Sequence, residues 1–166
     1  MNNDLKVAVI GLGVGEHHLS AYLKNKNCNV VTVCDFDKKK EIIIKKKFPK
    51  INFTNNYLDI LKDKDINIVS IASFDNYHFD QIVNCIKAKK HVFIEKPICL
   101  LPQQLKIIKK LLSNRKTVVS SNMVLRTAPL FIDIRNEIRK KNFGNIFYIE
   151  ADYLWGRVYK LYEWRS

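Results

Sequence analysis

Side chains able to do chemistry fall at four places in this chain. Glu95, Lys96 and Pro97 follow a short apolar run, residues 91–94, with the length of a buried strand. A lysine at the carboxyl end of a strand stands where open α/β sheets bind ligands. Pro97 fixes its own φ and pushes residue 96 toward extended backbone, so Lys96 is aimed by the chain. Such a lysine can polarise an oxygen or relay its proton. Taken alone, the tripeptide also reads as an ordinary exposed turn.

The second place is the glycine turn Gly11, Leu12, Gly13, Val14, Gly15, entered from the apolar run 6–10. Gly11 permits a tight turn, and Gly13, lacking a Cβ, lets a pyrophosphate approach the backbone. The helix that follows would aim its N–H groups and positive dipole end at the phosphates. The strict spacing G-x-G-x-x-G is not met, because Glu16 stands at the third position. The loop reads as one residue shorter, with Gly15 packing helix on sheet or simply starting the helix.

Asp35 ends the second apolar run, about 20 residues beyond the glycines. A carboxylate there accepts hydrogen bonds from adenosine ribose hydroxyls and repels a 2′-phosphate. This favours NAD over NADP, with Lys38, Lys39 and Lys40 as the opposing influence; a solvated strand-end acid is the plain alternative. The fourth place, residues 73–78, is expected at a sheet edge facing the same crevice. Ser73 and the Phe74 backbone could touch the cofactor. Asp75 or Asn76 could instead cap the next helix, and His78 could be a cofactor contact or a packed first-turn histidine.

The elements that must position these groups alternate between strand and helix. Strands are expected over 6–10, 29–34, 51–54, 67–72, 91–94 and 117–121, and helices over 15–24, 38–48, 57–62, 77–88 and 101–113. The first helix should turn His18, Tyr22 and Leu23 to one face. Alternation of this kind implies a doubly wound parallel sheet with right-handed crossovers. After about residue 122 the pattern changes: a helix over 129–141, a long strand over 145–153, then a stretch rich in Trp, Tyr and Arg. We read 1–122 as a dinucleotide-binding Rossmann domain and 123–166 as the opening of a truncated α+β substrate domain.

Composition narrows the class. The 166 residues are 47% apolar, enough for a sizeable core, and no apolar run is long enough to span a bilayer. The N-terminus lacks a signal-peptide pattern, so the chain reads as cytoplasmic. Cys28, Cys34, Cys85 and Cys99 show neither metal-ligand nor disulfide spacing, and Cys34 and Cys85 fall on apolar faces. The formal charge of +13 comes mostly from Lys, with no Arg stripe or aromatic platform beside it, which argues against nucleic acid as partner. A basic surface would still speed the arrival of anionic substrates such as nucleotide sugars.

The glycine turn with His18, the strand-end Asp35, residues 73–78 and the run 89–97 together resemble the Gfo/Idh/MocA family of sugar dehydrogenases. Two departures stand out: Ser73, Phe74 and Asp75 replace the family's Thr-Pro-Asn, and Lys89 replaces a Gly. The resemblance implies an NAD-dependent oxidoreductase about twice this length, oligomeric when whole, acting on a sugar or nucleotide sugar. It implies Lys96 as the catalytic-site lysine, Glu95 as the nicotinamide-ribose contact and Asn122 on the cofactor side. It also matches 152–157 with Trp164 and Arg165 to segments lining the cleft. The family's acid/base His has no counterpart here. Burial beside a cationic nicotinamide would lower the Lys96 pKa. A truncated, non-catalytic dinucleotide binder is the alternative function.

Overall fold

The computed structural model describes residues 5–113, 116–154 and 156. Chain contacts divide it into two compact units, Met1–Met123 and Val124–Ser166.

The first unit alternates strand and helix throughout. Its strands are β1 (Leu5–Ile10), β2 (Cys28–Cys34), β3 (Asn52–Thr54), β4 (Ile68–Ile71), β5 (His91–Ile94) and β6 (Val119–Ser121). Its helices are α1 (Gly15–Lys24), α2 (Lys39–Lys47), α3 (Tyr57–Lys62), α4 (His78–Lys87) and α5 (Pro102–Leu112). The six strands form one sheet in the order β3-β2-β1-β4-β5-β6. All five pairings are parallel, with Ile10 opposite Cys34 on one side and Ile71 on the other. The doubly wound parallel sheet expected from the sequence is therefore the fold. Its strand order reverses between β1 and β4, and that switch point opens a crevice at the carboxyl ends.

Burial follows the strand period of two. Along β1, Val7 and Val9 enter one core with Leu12, Leu19, Val30, Val33 and Ile44. Ala8 and Ile10 enter the other, with Val69, Ile71, Ile82, Cys85, Ile86 and Ile94. Each helix contributes a narrow apolar stripe. In α1 the inward residues are Gly15, His18 and Leu19. Leu23, expected on that face, is exposed; a period of 3.6 carries the inner stripe through 15, 18, 19 and 22. In α2 only Ile44 of the three isoleucines is buried, because the lysines on either side stay in water. Pro102 opens α5, and the Gln104 side chain accepts hydrogen bonds from the Leu100 and Leu101 amides.

The second unit holds a short 3₁₀ turn, Val124–Thr127, and α6 (Pro129–Arg139). The long strand expected over 145–153 is not formed: the described residues there carry no ladder. A single extended segment has no intrinsic hydrogen bonds and becomes a strand only beside a partner. Trp155, Arg157, Tyr159, Tyr162, Trp164 and Arg165 lie outside the described residues.

Candidate functional site

Three loops leave the carboxyl ends of β1, β4 and β5, and a fourth leaves β2. Between them they carry every candidate residue up to Glu95 and Lys96.

The glycine turn is fixed from below. Gly11 has φ +84, and its amide donates to Cys34 O at 2.8 Å. A Cβ on Gly11 would collide with the Ala72 carbonyl and come within 2.8 Å of the Ser73 amide nitrogen. Gly11 thus lets the β1 and β4 ends cross at backbone contact. Gly13 differs: a Cβ there would meet nothing within 4 Å. Gly13 thus leaves an open face at the mouth of α1. Gly15 backs the helix onto the sheet, its Cβ position lying 3.2 Å from both Ala72 and Val9 side-chain carbons. Val14 is exposed, whereas the Leu12 side chain is buried.

Asp35 is buried, with 4% exposure. Its Oδ2 accepts from the Leu12 amide at 2.7 Å and from Lys40 Nζ at 2.8 Å, and its Oδ1 accepts from the Asp37 amide at 2.9 Å. Burial alone would raise its pKa. Hydrogen bonds from Lys40, Asp37 and Leu12 overcome that and hold the carboxyl below its ordinary range. Oδ1 keeps acceptor capacity for an external hydroxyl. The Leu12 amide, by contrast, is committed to Asp35.

Residues 73–78 leave β4, which is an interior strand between β1 and β5 and not an edge strand. They still reach the crevice, because they emerge from its carboxyl end. Ser73 Oγ donates to Gln81 Oε1 at 2.6 Å. The Phe74 ring is partly exposed and lies 6.0 Å from Phe36, the residue after Asp35. Tyr77 occupies the N-cap position of α4 with no side-chain cap, so neither Asp75 nor Asn76 fills that role. His78 is wholly buried, with Nδ1 2.6 Å from Pro97 O and Nε2 3.1 Å from Ser73 O. It ties the Ser73 loop to the Lys96–Pro97 turn, whose peptide bond is cis.

Glu95 follows the carboxyl end of β5. Its Oε1 accepts from Asn122 Nδ2 at 2.7 Å and lies 3.0 Å from His18 Nε2; Oε2 accepts from the Lys96 amide at 3.2 Å. Burial pushes its pKa up, but the Asn122, His18 and Lys96 hydrogen bonds prevail and lower it. Lys96 is exposed, not buried as the sequence led us to expect.

Gly11, Gly13, Asp35, Ser73, Phe74, Glu95, Lys96 and Asn122 thus all follow the carboxyl ends of strands of the one parallel sheet. Sequence reading named Lys40 as an influence on cofactor choice but not as the partner of Asp35, and missed Ser70 and Gln81, the polar partners of His18 and Ser73. Ser70 carried a signal: a lone hydroxyl in the apolar run 68–71 must find a buried partner. Among the described residues no group of His, Cys, Asp and Glu could hold a metal, and no helix is long and apolar enough to cross a membrane.

Comparison with known proteins agrees with this geometry. Residues 5–123 match the family model described as "Oxidoreductase family, NAD-binding Rossmann fold". An inositol 2-dehydrogenase of Salmonella typhimurium is 27% identical over 144 residues, covering 84% of this chain and 43% of that protein. A trans-1,2-dihydrobenzene-1,2-diol dehydrogenase of Xenopus laevis is 23% identical over 153 residues, covering 92% and 43%. A scyllo-inositol dehydrogenase structure from Lactobacillus casei, with bound NAD(H) and scyllo-inositol, superposes with TM-score 0.80 at 21% identity, covering 86% and 43%. This chain spans less than half the length of the curated relatives it matches.

Proposed function

This chain belongs to the Gfo/Idh/MocA oxidoreductases, a family with an NAD-binding Rossmann fold, and from that premise we propose that it is the cofactor half of a dehydrogenase acting on a small polyol or sugar. The observation that carries the reading is the open face at Gly13 at the mouth of α1, with the buried Asp35 carboxylate hydrogen-bonded to the amide of the adjoining Leu12. The first fits a pyrophosphate, the second a ribose hydroxyl.

In this reading Gly13, Val14 and Gly15 bring the α1 N-terminus to the phosphates. Asp35 takes the adenosine ribose through Oδ1, which favours NAD over NADP. Ser73 and the Phe74 backbone line the same wall, while His78 braces Ser73 from behind. Glu95 and Asn122 hold the nicotinamide ribose. When bound, the nicotinamide supplies the hydride acceptor or donor. Lys96, at the free end of β5, donates a hydrogen bond to the reacting oxygen and carries its proton in or out.

Polyol chemistry is supported by the inositol dehydrogenases among the relatives. A nucleotide sugar is a narrower version, supported by the +13 charge. We assign the whole protein a second, substrate-binding domain beginning near residue 123, homo-oligomeric assembly and a cytoplasmic setting. A cofactor binder without turnover is the second reading. Calorimetry with NAD, NADP and an oligonucleotide tests the binding. We expect NAD to bind and the oligonucleotide not to. A folded chain without NAD affinity overturns the proposal. Absorbance of NADH during incubation with inositols, sugars and nucleotide sugars then separates enzyme from binder.

A further inference from the structure

We infer that His18 is a positioning residue, which donates from Nε2 to Glu95 and so holds that carboxylate in place for the nicotinamide ribose. The inference rests on the NAD-binding reading above and concerns a residue that touches no part of the cofactor itself.

His18 sits on the inner face of α1, buried against Phe93 with ring centroids 5.3 Å apart. Its two nitrogens bridge two strands: Nδ1 lies 2.8 Å from Ser70 Oγ on β4, and Nε2 lies 3.0 Å from Glu95 Oε1 at the end of β5. The direction of the second bond follows from chemistry. Glu95 is held in its ionised form by its donors, and a carboxylate has no proton to give. Nε2 must therefore carry the hydrogen, whether the ring is neutral or charged. In the neutral ring Nδ1 is an acceptor and takes the Ser70 O–H. The result is one line of donors with a single sense, from Ser70 through His18 to Glu95.

The consequence for the site is geometric. Oε1 receives two side-chain donors, from His18 and Asn122, and is saturated. Among the described residues Oε2 receives only the 3.2 Å contact from the Lys96 amide, and it retains capacity for a ribose hydroxyl. Without the His18 donor one side of Oε1 is unpaired in a partly buried setting. The carboxylate then turns toward water, and the oxygen offered to the ribose moves with it.

Two substitutions separate positioning from packing. His18→Leu removes the donor and keeps the bulk; His18→Gln places an amide N–H about where Nε2 lies. Calorimetry would compare NAD with ADP, which lacks the nicotinamide half. We expect His18→Leu to bind NAD about tenfold more weakly, with ADP affinity unchanged, and His18→Gln to recover most of the loss. Should His18→Leu fail to fold, Ser70→Ala decides the matter: it leaves Nδ1 without its donor and should weaken NAD about threefold, again without touching ADP. NAD affinity within twofold of the parent, or equal losses for NAD and ADP, overturns the role of His18. A parent chain that binds neither ligand overturns the NAD-binding reading beneath it.

Discussion

Lys40 Nζ lies 2.8 Å from Asp35 Oδ2, so the carboxylate we assign to the adenosine ribose is already paired with a cation from the first turn of α2. The pair cuts both ways. Asp35 repels a 2′-phosphate, and Lys40 softens the repulsion. We expect NAD to bind more tightly than NADP. Asp35→Ser should relax that preference, and Lys40→Met should widen it by about tenfold. Calorimetric titration with both dinucleotides checks each. Tighter binding of NADP by the parent chain would remove Asp35 from the ribose.

The two glycines of the turn should respond differently. A Cβ at Gly13 meets nothing within 4 Å, so Gly13→Val should fold normally while losing NAD binding. Gly11→Ala combines a φ of +84 with a clash against the Ala72 carbonyl, and should cost about 2 kcal/mol or more of stability. Urea unfolding and NAD titration of both variants would show whether the two effects separate.

Lys96 is exposed just beyond the end of β5. In a form of the protein that turns over substrate, Lys96→Ala should lower kcat about a hundredfold or more, with a small effect on NAD affinity. A fall of less than tenfold would make Lys96 a binding residue.

Acid should act through Asp35 and Glu95, whose pKa values both lie below their ordinary ranges in the folded chain. A depressed carboxyl stabilises the fold fully above its unfolded pKa, about 4, and loses that contribution as pH falls through the lower folded value. Melting temperature should therefore hold from neutrality to about pH 5 and drop below about pH 4. Asp35→Asn should flatten part of that drop; an unchanged slope would show that Asp35 is not among the groups responsible.

The described end of the second unit leaves large apolar side chains in water, Phe147 at 98% and Leu154 at 96% exposure. Such groups favour self-association. Sedimentation of this chain should show species larger than a monomer. Replacing Phe147 and Leu154 by Ser should shift it toward monomer, and no shift would place the contact elsewhere.

Much of the fold was legible because the strands are buried on both faces and read as continuous apolar runs, such as 68–71 and 91–94, broken by glycine, proline or polar turns. The glycine turn and Asp35 were legible for the same reason: a parallel strand must end where its loop begins. The long strand at 145–153 was misread because its alternation is a property of the segment, whereas a strand is a property of a pair. Lys96 was expected buried because neighbouring motifs say where a side chain starts, not what covers it. The Asp35–Lys40 and Ser70–His18 pairings were invisible because they depend on which helix crosses which strand, and spacing along the chain does not record that.

The backbone contact at Gly11 has a thermodynamic meaning. Gly11 bolts the phosphate turn to the start of the Ser73 loop, Leu12 is tied to Asp35, and His78 ties the Ser73 loop to Pro97. The recognition loops are thus locked to one another before any ligand arrives. Little ordering should remain for a dinucleotide to impose, so its entry should resemble docking into a rigid mould more than the folding of a clamp. Heat-capacity change on binding should accordingly be small, confined to the surface that the ligand itself covers.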